Sequence, residues 1–280
     1  MSLLGVIILS PDSLLIRLAG LGDFTLIFYR GLFPSVAITL LLLIYYRRKF
    51  LSAATAIGWA GLLNGALYAT TNITFIYSIQ TTSVANTLVI LSSAPIFAAI
   101  LSLFILKENQ YPLTWLVIGF SIVSIFIIGL GSYGKSSLSG DLFALACAIS
   151  TGCSAVLVRY KKDIDLVPSV IVGSILMTLY ALTQSPEIIV STTQLIYLGI
   201  IGFVLVPFAF IILTIAPRFA RSAEVQLVYL LEAILGPLWV WLVINEEPTL
   251  YTLVGGAMLL ISVSWFAIST VKQESVRLKI

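Results

Sequence analysis

The chain has 280 residues, 60% of them hydrophobic and 10% charged, with a formal net charge of +3 and a mean hydropathy of +1.11. Soluble domains carry roughly 25% charged residues, so a water-soluble globule is excluded and an all-α polytopic membrane protein is expected. There is no histidine and no G-x-x-x-x-G-K-[ST] loop; histidine metal ligation and ATP drive through such a loop are excluded, and an enzyme is not expected.

Charge-free runs cover residues 50–106, 109–134, 166–186, 188–217 and 248–271. A membrane helix needs about 20 apolar residues, so the run at 50–106 holds two helices and most others hold one. The apolar residues are continuous, unlike the alternating strands of an outer-membrane barrel. Ten transmembrane helices are predicted, at about 3–20, 24–46, 54–78, 82–106, 112–130, 139–160, 166–184, 192–215, 219–244 and 250–270. No basic region precedes the first apolar stretch, so a cleavable signal peptide is not expected. With the N-terminus inside, twelve of the 15 basic residues fall on inner loops and the tail, and only Arg17, Arg30 and Lys135 lie elsewhere. This asymmetry predicts cytoplasmic N- and C-termini.

In chain order, the first anomaly is "LSPDSLLIR" (9–17), where Pro11 interrupts an apolar helix and Asp12 follows at mid-depth. Proline removes a donor and frees a carbonyl, which Ser10 or Ser13 can satisfy. A broken helix with a polar cluster is a device of carrier sites, and the alternative is a helix that starts at Pro11. Arg17 reads as a snorkelling anchor. Arg30, seven residues into the second helix, can pair with Asp12, bind a substrate carboxylate or snorkel outward. In the third helix Asn64, Tyr68, Thr71 and Asn72 share one face; in line they suggest a cavity wall or interhelical hydrogen bonding. Gly61 and Gly65 beside them suit close packing. Asn86, Ser92 and Ser93 in the fourth helix and Gln226 in the ninth extend the polar set. Cys147 and Cys153, at i and i+6 of one helix, point to different faces and are expected to be free.

The ninth helix, "VQLVYLLEAILGPLWVWLV" (225–243), carries Glu232 near its centre. A buried acid in a bilayer costs about 2.5–3.5 kcal/mol on insertion scales, so it faces protein or water. It reads as a proton-coupling or substrate-ammonium site, as a structural acid paired to another helix, or as a group facing a cavity without a specific role. Tyr229 stands at i−3, placing a hydroxyl beside the carboxylate. Glu224 reads best as an interfacial salt bridge with Arg221. Tyr29, Tyr68, Phe75, Tyr229 and Trp239 form an aromatic set compatible with an organic substrate, whereas Trp241, Tyr251 and Trp265 suit membrane interfaces.

Residues 83–115 resemble 221–253 at an offset of 138, and "LLIR" (14–17) resembles "VLVR" (156–159) at an offset of 142. In each longer segment a helix ends in an acid, Glu108 or Glu246, before a short break and another helix. A repeat of five helices, an odd number, requires inverted halves, here 1–134 and 135–280. Inverted repeats are an architecture of secondary transporters, whose site lies between the halves near the midplane.

The segments "FYRGLFPS" (28–35), "ANTLVILSSAPIFAAILSLFILKE" (85–108), "LVYLLEAILGPLWVWLVINEE" (227–247) and "LVGGAMLL" (253–260) resemble the drug/metabolite transporter superfamily, in its EamA-like ten-helix form. The resemblance implies a secondary carrier, most often an exporter of small organic metabolites or drugs in a bacterial inner membrane. The partners implied are a small-molecule substrate, the lipid bilayer, a coupling proton and a second copy of the chain as a homodimer; no cofactor, metal or nucleic acid is expected. The family's Leu-Glu-Pro pattern is Leu231-Glu232-Ala233 here, with Pro237 one turn on, so any kink is displaced. The expected substrate-binding residues are Asp12, Arg30, Asn64, Tyr68, Asn72, Asn86, Tyr229 and Glu232, with Glu232 also the proton-coupling residue.

Overall fold

The computed structural model describes residues 2–107, 112–132, 137–216, 219 and 230–277, which are helical except at turns and short connections. The N-terminal stretch forms two short helices, α1 (Ser2–Leu9) and α2 (Asp12–Ala19). They meet at Ser10–Pro11, where the expected interruption lies. Pro11 cannot donate to the carbonyl of Ile7, and Ser10 Oγ donates to it instead at 3.0 Å. The backbone otherwise continues, with Ser10 N bonded to Val6 O and Leu15 N to Pro11 O, so the chain bends here without unravelling. Gly20, left-handed at φ 58°, closes α2.

Next come α3 (Asp23–Tyr46), α4 (Phe50–Ala56) and α5 (Gly58–Thr81). The third predicted helix starts later than residue 54 because Gly58, at φ 52°, separates α4 from α5. The fourth stretch is again two helices, α6 (Val84–Leu91) and α7 (Ala94–Ile105). Ser92 and Ser93 lie between them, their hydroxyls bonded back to Val89 O and Ile90 O, ahead of Pro95, which lacks a donor of its own. Then follow α8 (Pro112–Ser132), α9 (Ser137–Tyr160), α10 (Ser169–Leu182), α11 (Thr192–Gly199) and α12 (Val206–Ile215). A wide, π-helical stretch, Ile200–Leu205, joins α11 to α12 ahead of Pro207. The described chain ends with α13 (Leu230–Ile244) and α14 (Leu250–Arg277).

Four helical stretches, 23–56, 84–105, 138–160 and 192–215, are long and apolar enough to cross a membrane by length and composition. The burial pattern is that of a protein solvated by lipid. Large apolar side chains such as Ile44, Phe104, Phe126, Leu242 and Ile261 face outward, while Asp12, Arg30, Asn64, Asn72 and Glu232 are buried. In water this arrangement would expose far more apolar surface than a monomer tolerates. Both cysteines are free thiols.

The packing is intimate where glycines allow it. α3 lies along α10, α5 lies against both α9 and α10, α6 meets α13, and α8 meets α14. At the crossing of α5 and α10, a Cβ on Gly173 would sit 2.5 Å from Gly65 O and 2.6 Å from Tyr68 Cδ1, and one on Gly65 would sit 2.9 Å from Ser169 O. Such small-residue crossings bring backbones together in a bilayer, where no hydrophobic force drives association. Gly173→Ala is therefore expected to cost about 1–3 kcal/mol through overpacking, read as a lower melting temperature in detergent. Gly119→Ala, whose Cβ would meet nothing within 4 Å, is expected to leave that temperature unchanged or slightly higher.

Candidate functional site

The break in the first stretch makes Asp12 the first residue of α2, where the partial positive charge of a helix start favours a carboxylate. Arg30 of α3 reaches it, with Nη1 2.6 Å from Asp12 Oδ1. The two side chains are 4% and 1% exposed, so this is a fully buried ion pair. Arg30 Nε and Nη2 both donate to Asn72 Oδ1 at 3.3 Å. Asn72 is oriented by its own Nδ2, which donates to Tyr68 O one turn back at 3.0 Å. The guanidinium carbon stands 5.4 Å from the centre of the Phe75 ring. The first, second and third predicted helices thus meet in one charged knot.

Beside this knot is a cavity of about 70 Å³, room for several waters at the roughly 10–15 Å³ each needs. Asp12, Arg30, Asn64, Tyr68, Thr71, Asn72, Phe75 and Glu232 all line it, so the whole polar face read from the third helix turns inward. Asn64 does so as a structural tie: its Nδ2 donates to Ser169 Oγ and its Oδ1 accepts from Ser154 Oγ, each at 2.7 Å. It therefore joins α5 to α9 and α10. Tyr68 packs edge-on against Phe210, ring centres 4.9 Å apart.

Glu232 projects from the first turn of α13, 4% exposed, and makes no ion pair among the described residues. Its Oε2 and Asp12 Oδ2 are both buried without a hydrogen-bond partner. An unpartnered buried carboxylate oxygen is costly, and two of them stand on residues of one cavity. Among the described residues Glu232 has no ion-pair partner on another helix.

Asn86 does not join this group. Its Nδ2 donates to Asp141 Oδ1 at 3.2 Å and its Oδ1 accepts from Thr252 Oγ1. Thr82 Oγ1 donates to the same Asp141 oxygen at 2.9 Å. Asn86, expected among the substrate-binding residues, is not on the wall of this cavity: a buried cluster between α6, α9 and α14 takes up its amide. Gly140 makes the cluster possible, since a Cβ there would lie 2.7 Å from Thr82 N. Ser92 and Ser93 likewise spend their hydroxyls on the helix break. Tyr29 donates to Ile188 O, and Trp239 Nε1 donates to Ser10 Oγ at 3.2 Å; neither lines the cavity. Tyr229, Gln226, Glu224, Arg221 and Glu108 lie outside the described residues.

Arg17 is more than a snorkelling anchor. Its Nη2 donates to Thr82 O at 3.0 Å, and its Nε stands 3.3 Å from Glu246 Oε2. Glu246 Oε1 in turn accepts from Val84 N at 2.9 Å, so the acid also caps the start of α6. Three segments distant in sequence are tied at this end of the bundle. Sequence reasoning missed the opposite cavity wall, made by Cys147, Thr151, Ser154 and Val158 of α9 and by Phe210 of α12. The signal was present in part: 147, 151, 154 and 158 follow the same helical face spacing as the third-helix stripe.

A helical membrane protein with a buried charged cavity at a helix break has the form of a membrane carrier. The EamA-like transporter family matches residues 1–130. A Bacillus subtilis protein, the uncharacterized transporter YdfC, is 30% identical over 254 residues, covering 86% of this chain and 81% of that protein. An uncharacterized transporter of Archaeoglobus fulgidus is 24% identical and covers 92% of this chain and 91% of its own. A solved crystal structure superposes with a TM-score of 0.71 at 15% identity over 96% of each chain, which concerns the fold alone. The chain belongs to the EamA-like transporters of the drug/metabolite transporter superfamily.

The knot makes a direct stability prediction. Arg30→Gln leaves Asp12 charged, buried and unpaired, at a cost of about 3–5 kcal/mol, seen as a marked drop in melting temperature. Adding Asp12→Asn removes the orphaned charge, and the double variant is expected to recover most of the loss. A double variant no more stable than Arg30→Gln alone would show that the pair is not the source of the effect.

Proposed function

We propose that this transporter is a secondary active carrier that exports small organic metabolites or drugs by alternating access, with Glu232 as its proton-coupling group. The carrying observation is the unpaired, buried Glu232 facing the same cavity as the Asp12–Arg30 pair. An acid retained at such cost in a membrane core points to proton or substrate traffic.

In this reading ten transmembrane helices form two inverted five-helix repeats, 1–134 and 135–280. The helix contacts support it. Exchanging the halves turns the packing of α5 on α9 into that of α11 and α12 on α2 and α1, and the packing of α6 and α7 on α9 into that of α13 on α1 and α2. The contacts of α3 with α10, α6 with α13 and α8 with α14 map onto themselves. Such self-mapping is expected of a pseudo-two-fold axis, and a site between the halves is the usual consequence.

The distribution of basic residues supports cytoplasmic termini in a bacterial inner membrane. On that orientation the Arg17–Glu246 tie lies at the outer end. The cavity wall runs inward instead, to Val158 and Thr214, and Val158 adjoins Arg159 in the chain. Access from the cytoplasm suits an exporter.

Glu232→Gln keeps the shape of the side chain and removes its titration. In proteoliposomes it is expected to abolish uphill, gradient-driven transport while the protein keeps its wild-type melting temperature. Uphill transport at the wild-type rate would remove Glu232 from coupling.

A further inference from the structure

Resting on the carrier reading above, we infer that the cavity recognises a small organic cation, a protonated amine with a short apolar body, held between the carboxylates of Asp12 and Glu232. The charge inventory carries the argument. Among the described lining residues there are two acids and one base, so with all three ionised the cavity carries one surplus negative charge, which a bound cation would offset. Glu232 lines the same cavity as Asp12 and Arg30, so a solute there meets all three.

Arg30 is poorly placed to receive an anionic substrate. Each of its three guanidinium nitrogens already donates, one to Asp12 and two to Asn72. Two of its five N–H groups remain, but a substrate carboxylate taking them would set three carboxylates against one guanidinium in a low-dielectric site. Like charges there repel strongly, because little solvent screens them.

An ammonium group meets the opposite situation. Asp12 Oδ2 and Glu232 Oε2 are buried, on 1% and 4% exposed residues, and each lacks a donor. An ammonium brings up to three N–H donors and one positive charge, which satisfies both oxygens and neutralises the surplus. Charge-assisted bonds of this kind are the stronger class of hydrogen bond. The rest of the wall is apolar or aromatic, with Leu9, Tyr68, Leu91, Phe210 and Leu213. It offers a hydrocarbon body desolvated contact and a cation the face of a ring. An unsubstituted inorganic cation would make no use of that surface.

The test is a matched panel on the purified full chain in detergent at neutral pH: propylamine, 1-propanol and propionate, then phenethylamine, 2-phenylethanol and 3-phenylpropionate. The amines are expected to raise the melting temperature, since a ligand of the native state stabilises by mass action, and the alcohols and acids to leave it unchanged. Glu232→Gln is expected to weaken amine binding about tenfold or more, the loss of a hydrogen bond to a charged group. Stabilisation by the acids in place of the amines overturns the inference and makes Arg30 the recognising group. Equal shifts with alcohols and amines, or no shift with either amine, also overturn it, because the surplus charge is then not read by a ligand. Counterflow of labelled phenethylamine in proteoliposomes separates this inference from the reading on which it rests. Amine binding without counterflow keeps the site assignment and defeats the carrier, whereas counterflow of 3-phenylpropionate without amine binding keeps the carrier and defeats the substrate class.

Discussion

The ion pair between Arg30 and Asp12 is the constraint on which the rest of the core depends. Removing a guanidinium and a carboxylate from water is tolerated only when each meets the other in close geometry and their remaining groups find partners. At 2.6 Å, with Asn72 taking the other guanidinium nitrogens, that requirement is nearly met. The interruption at Pro11 serves it by making Asp12 a helix start. The same requirement dictates the register of α3 and α5, which must bring Arg30 and Asn72 to one depth. The requirement stays open at two carboxylate oxygens, Asp12 Oδ2 and Glu232 Oε2, on residues that line the same cavity.

Around this knot the bundle follows the logic of a lipid solvent. Apolar side chains cover the outside, so they contribute little to holding helices together, and specificity comes from close backbone contact and interior hydrogen bonds. The crossing at Gly65 and Gly173 and the amide tie of Asn64 to Ser154 and Ser169 show both devices within two turns of α5. At the far end Arg17, Glu246, Thr82 and Asp141 gather segments from both ends of the sequence.

Much of the site was legible in the residues because polar groups in an apolar helix are conspicuous. Asp12, Arg30, Glu232 and the Asn64–Asn72 face stand out against apolar neighbours, and all of them line the cavity. Asn86 stood out equally and belongs elsewhere, because a polar residue in a membrane helix announces only that it has a partner, not which one. Asp141 shows its role only in the fold, where the approach of Thr82 over Gly140 brings a hydroxyl to it. The wall formed by Thr151 and Ser154 was obscured because short hydroxyl side chains can bond within their own helix, as Thr151 does to Cys147 O.

The sequence by itself determined the solvent, the helical class and the depth of the ionisable groups. These follow from hydrophobicity and from the length of charge-free runs, properties local to each stretch. Tertiary structure decided which charges neutralise one another, which amides act as ties and which acid is left unpaired. Pairing depends on distances of a few ångströms between segments as far apart as Asp12 and Glu232, and those distances are set by helix packing rather than by anything local to either residue.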